Sequence, residues 1–504
     1  MRLFIFAIGG TGARVLRSLA MLSAAGARPL DPVTGKPVAE LEIVPVIIDP
    51  HRANDDLKRT EELLNSYRKL RRYIHGDASR ASGFFATKIS TLRSLTPDAG
   101  TTLADSFIYN LSAVERKRFG EFIDFNSLDE PNQAMLRMLF SDDQMDTSMK
   151  IGFVGSPNIG SVALNSFKDS EEFQTFCNVI GADDRVFFIS SIFGGTGASG
   201  FPIVLKNIRN ADTLNVSNKG VLTSCRCGAL TVLPYFNIEH SDSSPINKSD
   251  FIVKTRSALH YYDKSLTSDG RAALNAIYYL GDKETSAPYT NDPGEHGQKN
   301  AAHLVELVGS LAPLHFLSIP DGDLPQGHTE AFEYGLEKDT ADVTLTNLGP
   351  QTRALIVRPL LKLHLLSLFL DNKFSEVIGR GFTQDTPAIN RDFLSTDFYR
   401  TLSQRFLSQY WDWLEEMDSN HRHVTFFDLD NAMRLEEIVK GVEPKRGLFG
   451  SRHFTHDEIF AAINSVSKRL NGKFRSEQLP LKLMGLFDVA ADNLISSKYR
   501  SITE

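Results

Sequence analysis

The sequence predicts an α/β protein: a six-stranded, mainly parallel, doubly wound sheet with a helical insertion and a mainly helical C-terminal domain. Two observations carry this. Through residue 318, continuous apolar runs alternate with segments of helical period, the pattern of a parallel sheet covered on both faces. Twice, a strand breaks on the same Gly-Gly-Thr-Gly and restarts as a helix, in "FAIGGTGARVL" and in "SSIFGGTGASG".

The elements follow in order. Residues Arg2–Ile8 are β-formers, and 11–25 repeat apolar groups at helical spacing. "LEIVPVIID" (41–49) is a second strand ending on Asp49, and 50–149 read as a helical insertion. "KIGFVGSPNIGS" is a third strand running into a Gly/Ser/Pro/Asn turn, with a helix at "EEFQTFCNVI". Arg185–Ser191 form the fourth strand and 197–209 its helix. "CGALTVLPYF" is the fifth, "FIVKTRSALHYY" a helix, "LNAIYYL" the sixth, and "GQKNAAHLVELVGSLAPLHFL" one long amphipathic helix. This sets 1–49 and 150–318 as the sheet domain and 340–504 as the second domain, where only "HVTFFDL" suggests a strand.

Composition narrows the function classes. A net charge of −7 leaves no whole-chain footprint for nucleic acid. The basic cluster "YRKLRRYIHG" reads as a solvated helix face. Three cysteines, Cys177, Cys225 and Cys227, make neither a disulfide framework nor a zinc site, so reduced thiols are expected. No other metal-ligand cluster stands out. "ALIVRPLLKLHLLSLFL" is too short and too polar to span a bilayer and reads as a buried helix. No targeting pattern precedes the first strand, so the expected location is cytoplasmic.

In a parallel sheet, ligands sit beyond the carboxyl ends of the strands. Those ends carry Gly9, Gly10, Thr11, Gly12 and Ala13; Asp49; Gly155, Ser156 and Asn158; Gly194, Gly195, Thr196, Gly197 and Ala198; and residues 234–239 with Glu239. A glycine turn opening a helix exposes backbone N–H groups at the positive end of the helix dipole, where an anion can approach closely. Tight strand-to-helix packing favours glycine equally, so one such turn alone decides nothing. Several on one edge favour a phosphate cradle. No G-x-x-x-x-G-K-[ST] occurs. A dinucleotide fingerprint would need a glycine where Val15 stands, and Asp49 comes late for its ribose carboxylate.

The motif order resembles the tubulin/FtsZ superfamily over residues 1 to about 317. That family has a glycine turn after its first strand and G-G-G-T-G-[ST/A]-G after its fourth; here the latter reads Phe193-Gly194-Gly195-Thr196-Gly197-Ala198-Ser199-Gly200. "VGSPNIGS" and "LPYFNIE" resemble its loops after the third and fifth strands. The chain thus looks like a divergent bacterial or archaeal tubulin-like protein with a Rossmann-like sheet. The resemblance implies GTP or GDP with Mg²⁺ as ligands. Gly10, Thr11 and Gly12 would face the α/β-phosphates, Gly194–Ala198 would form the signature loop, and Ser156 and Asn158 would lie near the γ-phosphate. Asp49 would stand near the phosphate–Mg²⁺ region, Glu239 near the ribose, and Asn300 and His303, on one helical face, at the base. Capping for Asn300 and a solvated ring for His303 are the plain alternatives.

In this family an acid after the long helix acts on the next subunit's nucleotide. Here "LSIPDGDLPQGH" lacks the N-x-D-x-x-D of FtsZ; Asp321 and Asp323 supply the charge, and a solvated Asp-Gly turn is the competing explanation. Three function classes follow: a self-assembling GTPase, a nucleotide-binding adaptor whose helical parts recruit a partner protein, and an NAD(P)-dependent oxidoreductase.

Overall fold

The computed structural model describes residues 1–51, 54–97, 100, 102–153, 156–235, 237–238, 248–266, 273–282, 288–289, 300–334, 340, 342–420, 422–430, 434–442, 444–447, 450–451, 454–470 and 473–499. Its sheet is built from β1 (Arg2–Ile8), β2 (Glu42–Ile48), β3 (Lys88–Ile89), β4 (Arg185–Ser191), β5 (Arg226–Val232), β6 (Ala276–Leu280) and β7 (Glu330–Glu333). Their spatial order is β3-β2-β1-β4-β5-β6-β7, and every pairing is parallel. Alternation along β1 shows why: Leu3, Ile5 and Ala7 join one apolar core, while Phe4, Phe6 and Ile8 join another on the opposite face. A strand buried on both sides must be apolar throughout, and this one is.

Two departures from the expected sheet have simple causes. The sheet has seven strands rather than six. The expected third strand does not form among the described residues of 150–156: Met149–Ile151 is a 3₁₀ turn, and Gly152 follows at φ +89°, a conformation that interrupts an extended run. The place beside β2 goes to β3, only two residues long, from within the expected insertion. The seventh strand, β7, is an edge strand with exposed side chains, so no apolar run announces it. β5 also ends at Val232, two residues before Pro234.

Helices α1 (Gly9–Ala25) and α2 (Asp55–His75) cover one face of the sheet. An outlying helix α3 (Glu130–Leu139) has no buried residue. On the other face lie α4 (Pro157–Leu164), α5 (Glu171–Val179) and α6 (Gly195–Arg209), with α7 (Lys248–Ser265) beside them. The long helix expected over 297–317 is two helices, α8 (Leu304–Gly309) and α9 (Leu311–Ser318), with 297–299 outside the described residues. Pro313 has no N–H for the carbonyl of Gly309, which places the break there.

The C-terminal region contributes α10 (Pro350–Phe369), α11 (Ser408–Asp418), α12 (His456–Arg469) and α13 (Leu479–Lys498). Its apolar side chains are continuous with the α1 face of the sheet. Trp413 is fully buried, and its Nε1 donates to Ser18 Oγ of α1 at 3.2 Å. Trp411 is partly buried, with Nε1 donating to Ser367 Oγ at 2.6 Å. "HVTFFDL" yields a two-residue strand, His423–Val424, paired with Asp342–Val343. The apolar run at 354–370 lies in α10 as a buried helix; among the described residues no helix is long and apolar enough to cross a membrane. The basic cluster is less solvated than expected. Arg71 is buried, its guanidinium donating to the carbonyls of Gly76 and Ala78, while Arg68 and Lys69 pair with Asp105 and Asp397.

Candidate functional site

Strand order reverses between β1 and β4: from β1 the chain goes on to β2 on one side, and later returns to β4 on the other. In a doubly wound sheet that reversal opens a crevice at the carboxyl ends. Both Gly-Gly-Thr-Gly turns end there, because β1 runs directly into α1 and β4 runs into α6 after three residues. They meet. A Cβ on Gly9, whose φ is +78°, would lie 3.5 Å from the backbone nitrogen of Gly197.

The glycines have different reasons to be there. A Cβ on Gly12 would sit 2.8 Å from the Ala7 carbonyl carbon and from Ile189 O, and one on Gly197 would sit 2.6 Å from Ser191 O. These two let α1 and α6 close onto the strand ends. Gly10 differs: a Cβ there meets only side-chain tips, Asn54 Nδ2 at 3.5 Å and Arg14 Nη1 at 3.8 Å. At Gly194 the nearest atom would be Ser191 Oγ at 3.2 Å. Packing thus accounts for Gly12 and Gly197 but not for Gly10.

Helix α4 packs against α6 with Gly160 against Ser199, bringing a third helix to the same region. The N-cap positions of these three helices, Ile8, Gly194 and Ser156, provide no side-chain hydrogen bond. By contrast Asn54 caps α2 and Ser170 caps α5. First-turn N–H groups have no intrahelical acceptor, so α1, α4 and α6 present open donors and their dipoles' positive ends. Thr11, Ala13, Thr196 and Ala198 are buried, Gly195 and Ser156 are half-buried, and Asn158 is exposed, with Oδ1 accepting from Gln144 Nε2 at 3.4 Å. Gly155 and Glu239 lie outside the described residues.

Asp49 follows β2 at the same edge, 6% exposed, accepting a hydrogen bond from the His51 N–H at 2.8 Å. Burial, opposed by that bond, raises its pKa to about 7. A carboxyl raised in the folded state stabilises the fold fully below its unfolded value near 4. That stability is lost as pH rises through 7. Asp49→Asn should therefore gain stability relative to wild type between pH 5 and pH 8, by a few kcal/mol at about 1.4 kcal/mol per unit. Urea unfolding of the apoprotein at the two pH values measures this; equal differences at both would show Asp49 to be ionised throughout.

Behind Gly10 lies a buried ionic network that sequence reading missed. Arg14 is 7% exposed; it donates to Asp56 Oδ2 at 3.0 Å, to Tyr235 Oη at 2.9 Å and to Glu306 Oε1. Asp56 also accepts from Arg59 at 2.8 Å and from Asn300 Nδ2 at 2.7 Å. Arg59 and Arg17 both pair with Glu416 of α11. Burial raises the Glu306 pKa despite Arg14. At Asp56, burial is overcome by Arg14, Asn300 and Arg59, which hold it below the usual carboxylate range.

Asn300 and His303 do not share a helical face, because α8 begins only at Leu304. His303 is its N-cap, with Nδ1 accepting from the Val305 N–H at 3.0 Å while Glu306 accepts from the His303 N–H. The ring is 3% exposed and packs on Tyr235, so it is not solvated either. Asn300 binds Asp56 from the segment before the helix, and does not cap it.

Asp321 and Asp323 are exposed in a turn at the opposite end of the sheet. Asp321 pairs with Arg185 at 2.8 Å, and its carbonyl accepts from Arg226; these arginines are the first residues of β4 and β5. A seven-residue strand separates them from the glycine turns, roughly 20 Å. Neither aspartate reaches the crevice of its own subunit. Among the described residues no group of three or more His, Cys, Asp or Glu side chains could hold a metal.

The fold defines a class, doubly wound parallel α/β proteins with a ligand crevice at the strand-order reversal. No family model matches the chain, and no curated protein matches it. Solved structures that match include two protofilaments of Bacillus thuringiensis serovar israelensis TubZ. The GTPγS form is 13% identical with a TM-score of 0.21, covering 56% of this chain and 46% of that one. The GDP form is 12% identical with a TM-score of 0.21, covering 56% and 47%. A TubZ-Bt two-stranded filament matches at 11% and 0.20. The matches span about half the length of those chains, and superpositions this loose assign no residue a role.

Proposed function

We propose that the crevice binds one guanine nucleotide, and that the protein is a divergent tubulin-like nucleotide-binding protein. The contact between the Gly9 and Gly197 turns carries this reading, because two uncapped helix N-termini then converge on one anion. Gly10 and Gly194 leave room for phosphate oxygens where a side chain would stand. Asn300, whose Nδ2 is held by Asp56, is the proposed base contact, with His303 as a second candidate. Mg²⁺ would offset phosphate charge in the triphosphate complex, with Asp49 as the nearby carboxylate. The motif order along the chain favours guanine nucleotide over NAD(P). Denaturing the purified protein and separating the released ligand by chromatography tests this: GDP or GTP supports it, and NAD(P) overturns it.

Hydrolysis is proposed to need a second copy. Asp321 and Asp323 lie at the end of the sheet remote from their own crevice, so they would orient water only on a neighbouring subunit's nucleotide. Specific GTPase activity should rise with protein concentration. The Asp321→Ala/Asp323→Ala variant should lose at least tenfold of it while keeping nucleotide affinity. Concentration-independent turnover in that variant would place the acid elsewhere. Without turnover in either protein, the adaptor reading is the one that stands.

A further inference from the structure

The two cysteines one residue apart are drawn together at the start of β5. Cys225 Sγ and Cys227 Sγ are 3.7 Å apart in a hydrogen-bonding contact. The Arg209 guanidinium reaches Cys225, Nη1 lying 3.9 Å from Sγ and 2.9 Å from the carbonyl oxygen. Cys225 and Arg209 also line a cleft of about 720 Å³ at the amino end of the sheet, beside Asp184, Arg185, Arg226 and Asp321. Cys177 has no such setting: it is buried among apolar groups, and burial pushes its thiol up to about 12.

We propose that Cys225 and Cys227 form a reversible intramolecular disulfide when a hydroperoxide enters this cleft. One proton is shared between the sulfurs, and burial is opposed at Cys227 by the Cys225 hydrogen bond and the Arg209 charge, which favour a single thiolate. That thiolate is favoured at Cys227. The hydrogen bond to Cys227 and burial push the Cys225 thiol up, its Sγ also donating to Leu222 O at 3.2 Å. Cys225, on the cleft wall, becomes the nucleophile when its proton passes to Cys227 across their contact. It attacks one peroxide oxygen; the O–O bond breaks, leaving a sulfenic acid and a hydroxide that takes a proton to become water. Cys227 sulfur then attacks the Cys225 sulfur, the S–O bond breaks, and the hydroxyl leaves with the Cys227 proton as a second water. Two thiols are oxidised, one hydrogen peroxide is reduced to two waters, and a thiol reductant reverses the change. Residues two apart along an extended strand have Cα atoms about 6.6 Å apart, near the upper limit for a disulfide. Closing the 3.7 Å gap therefore takes a bend of the backbone at the first residues of β5 as well as side-chain rotation.

The experiment uses the native full chain and hydrogen peroxide, at concentrations that leave the circular-dichroism spectrum unchanged. Remaining thiols are alkylated in denaturant before digestion with trypsin, which cuts after Arg226 and so separates the cysteines. The expected result is loss of two of the three alkylatable thiols, restored by dithiothreitol. Peptides 220–226 and 227–248 should appear joined, or as one intact fragment two hydrogens lighter. The Cys225→Ser variant should give neither product. Linkage to Cys177, oxidation of Cys177 first, or no linked product before the spectrum changes would each overturn the proposal.

Discussion

Replacing Arg14 by methionine should lower unfolding free energy by about 3–5 kcal/mol, the usual consequence of leaving buried charge without its counterion. Arg14 lies between Asp56 and Glu306, whose side chains are 0% and 2% exposed. Arg59 and Asn300 would still hold Asp56, whereas Glu306 would be left with the neutral Tyr235 hydroxyl and the His303 N–H among the described residues. Methionine fills most of the arginine stem's volume, so the loss reports charge more than cavity. The test is urea unfolding of Arg14→Met beside Arg14→Met/Asp56→Asn/Glu306→Gln. Neutralising both acids should recover more than half of the loss. A triple variant no more stable than the single one would attribute the cost to packing.

Gly197→Val and Gly10→Val should fail in opposite ways. At Gly197 a Cβ alone would lie 2.6 Å from Ser191 O and 3.0 Å from Ser191 N. Backbone cannot yield there without lifting α6 off β4, so overpacking should reach or exceed the usual 1–3 kcal/mol and deplete folded protein. At Gly10 the neighbours are the tips of Asn54 and Arg14, and the fold should tolerate valine within about 1 kcal/mol. If the crevice holds a nucleotide, that valine occupies phosphate space, and affinity should fall at least a hundredfold. Melting temperature and nucleotide titration separate the two outcomes. A Gly10→Val protein that binds guanine nucleotide normally would move the phosphates away from α1.

Much of the sheet is legible in the sequence itself. β1, β2, β4 and β6 are continuous apolar runs, and the two glycine turns mark where helices begin. Local pattern is enough for such elements. It fails for β3, two residues long, and for β7, whose exposed edge carries no apolar signature. The division among the glycines was equally hidden, because Gly10 and Gly12 look alike in sequence while only Gly12 faces the strand ends. Arg14 finds Asp56 and Glu306 at separations of 42 and 292 residues, and no periodicity encodes such pairs. The helical spacing around His303 suggests a helical face; the break near Pro313 and the capping by His303 itself shorten that helix from both ends.

The burial of Trp413 against Ser18 has a consequence for biosynthesis. The partners are 395 residues apart, and at about 5–20 residues per second a ribosome needs roughly 20–80 s to make the second after the first. Until α10 has been made, for most of that interval, the outward side of α1 has no cover from either C-terminal helix, and α11 follows last. A nascent chain of this protein should therefore engage a holding chaperone early and be released only after α11 has emerged. A chain stopped near residue 340 would stay in that state, its first helix still uncovered.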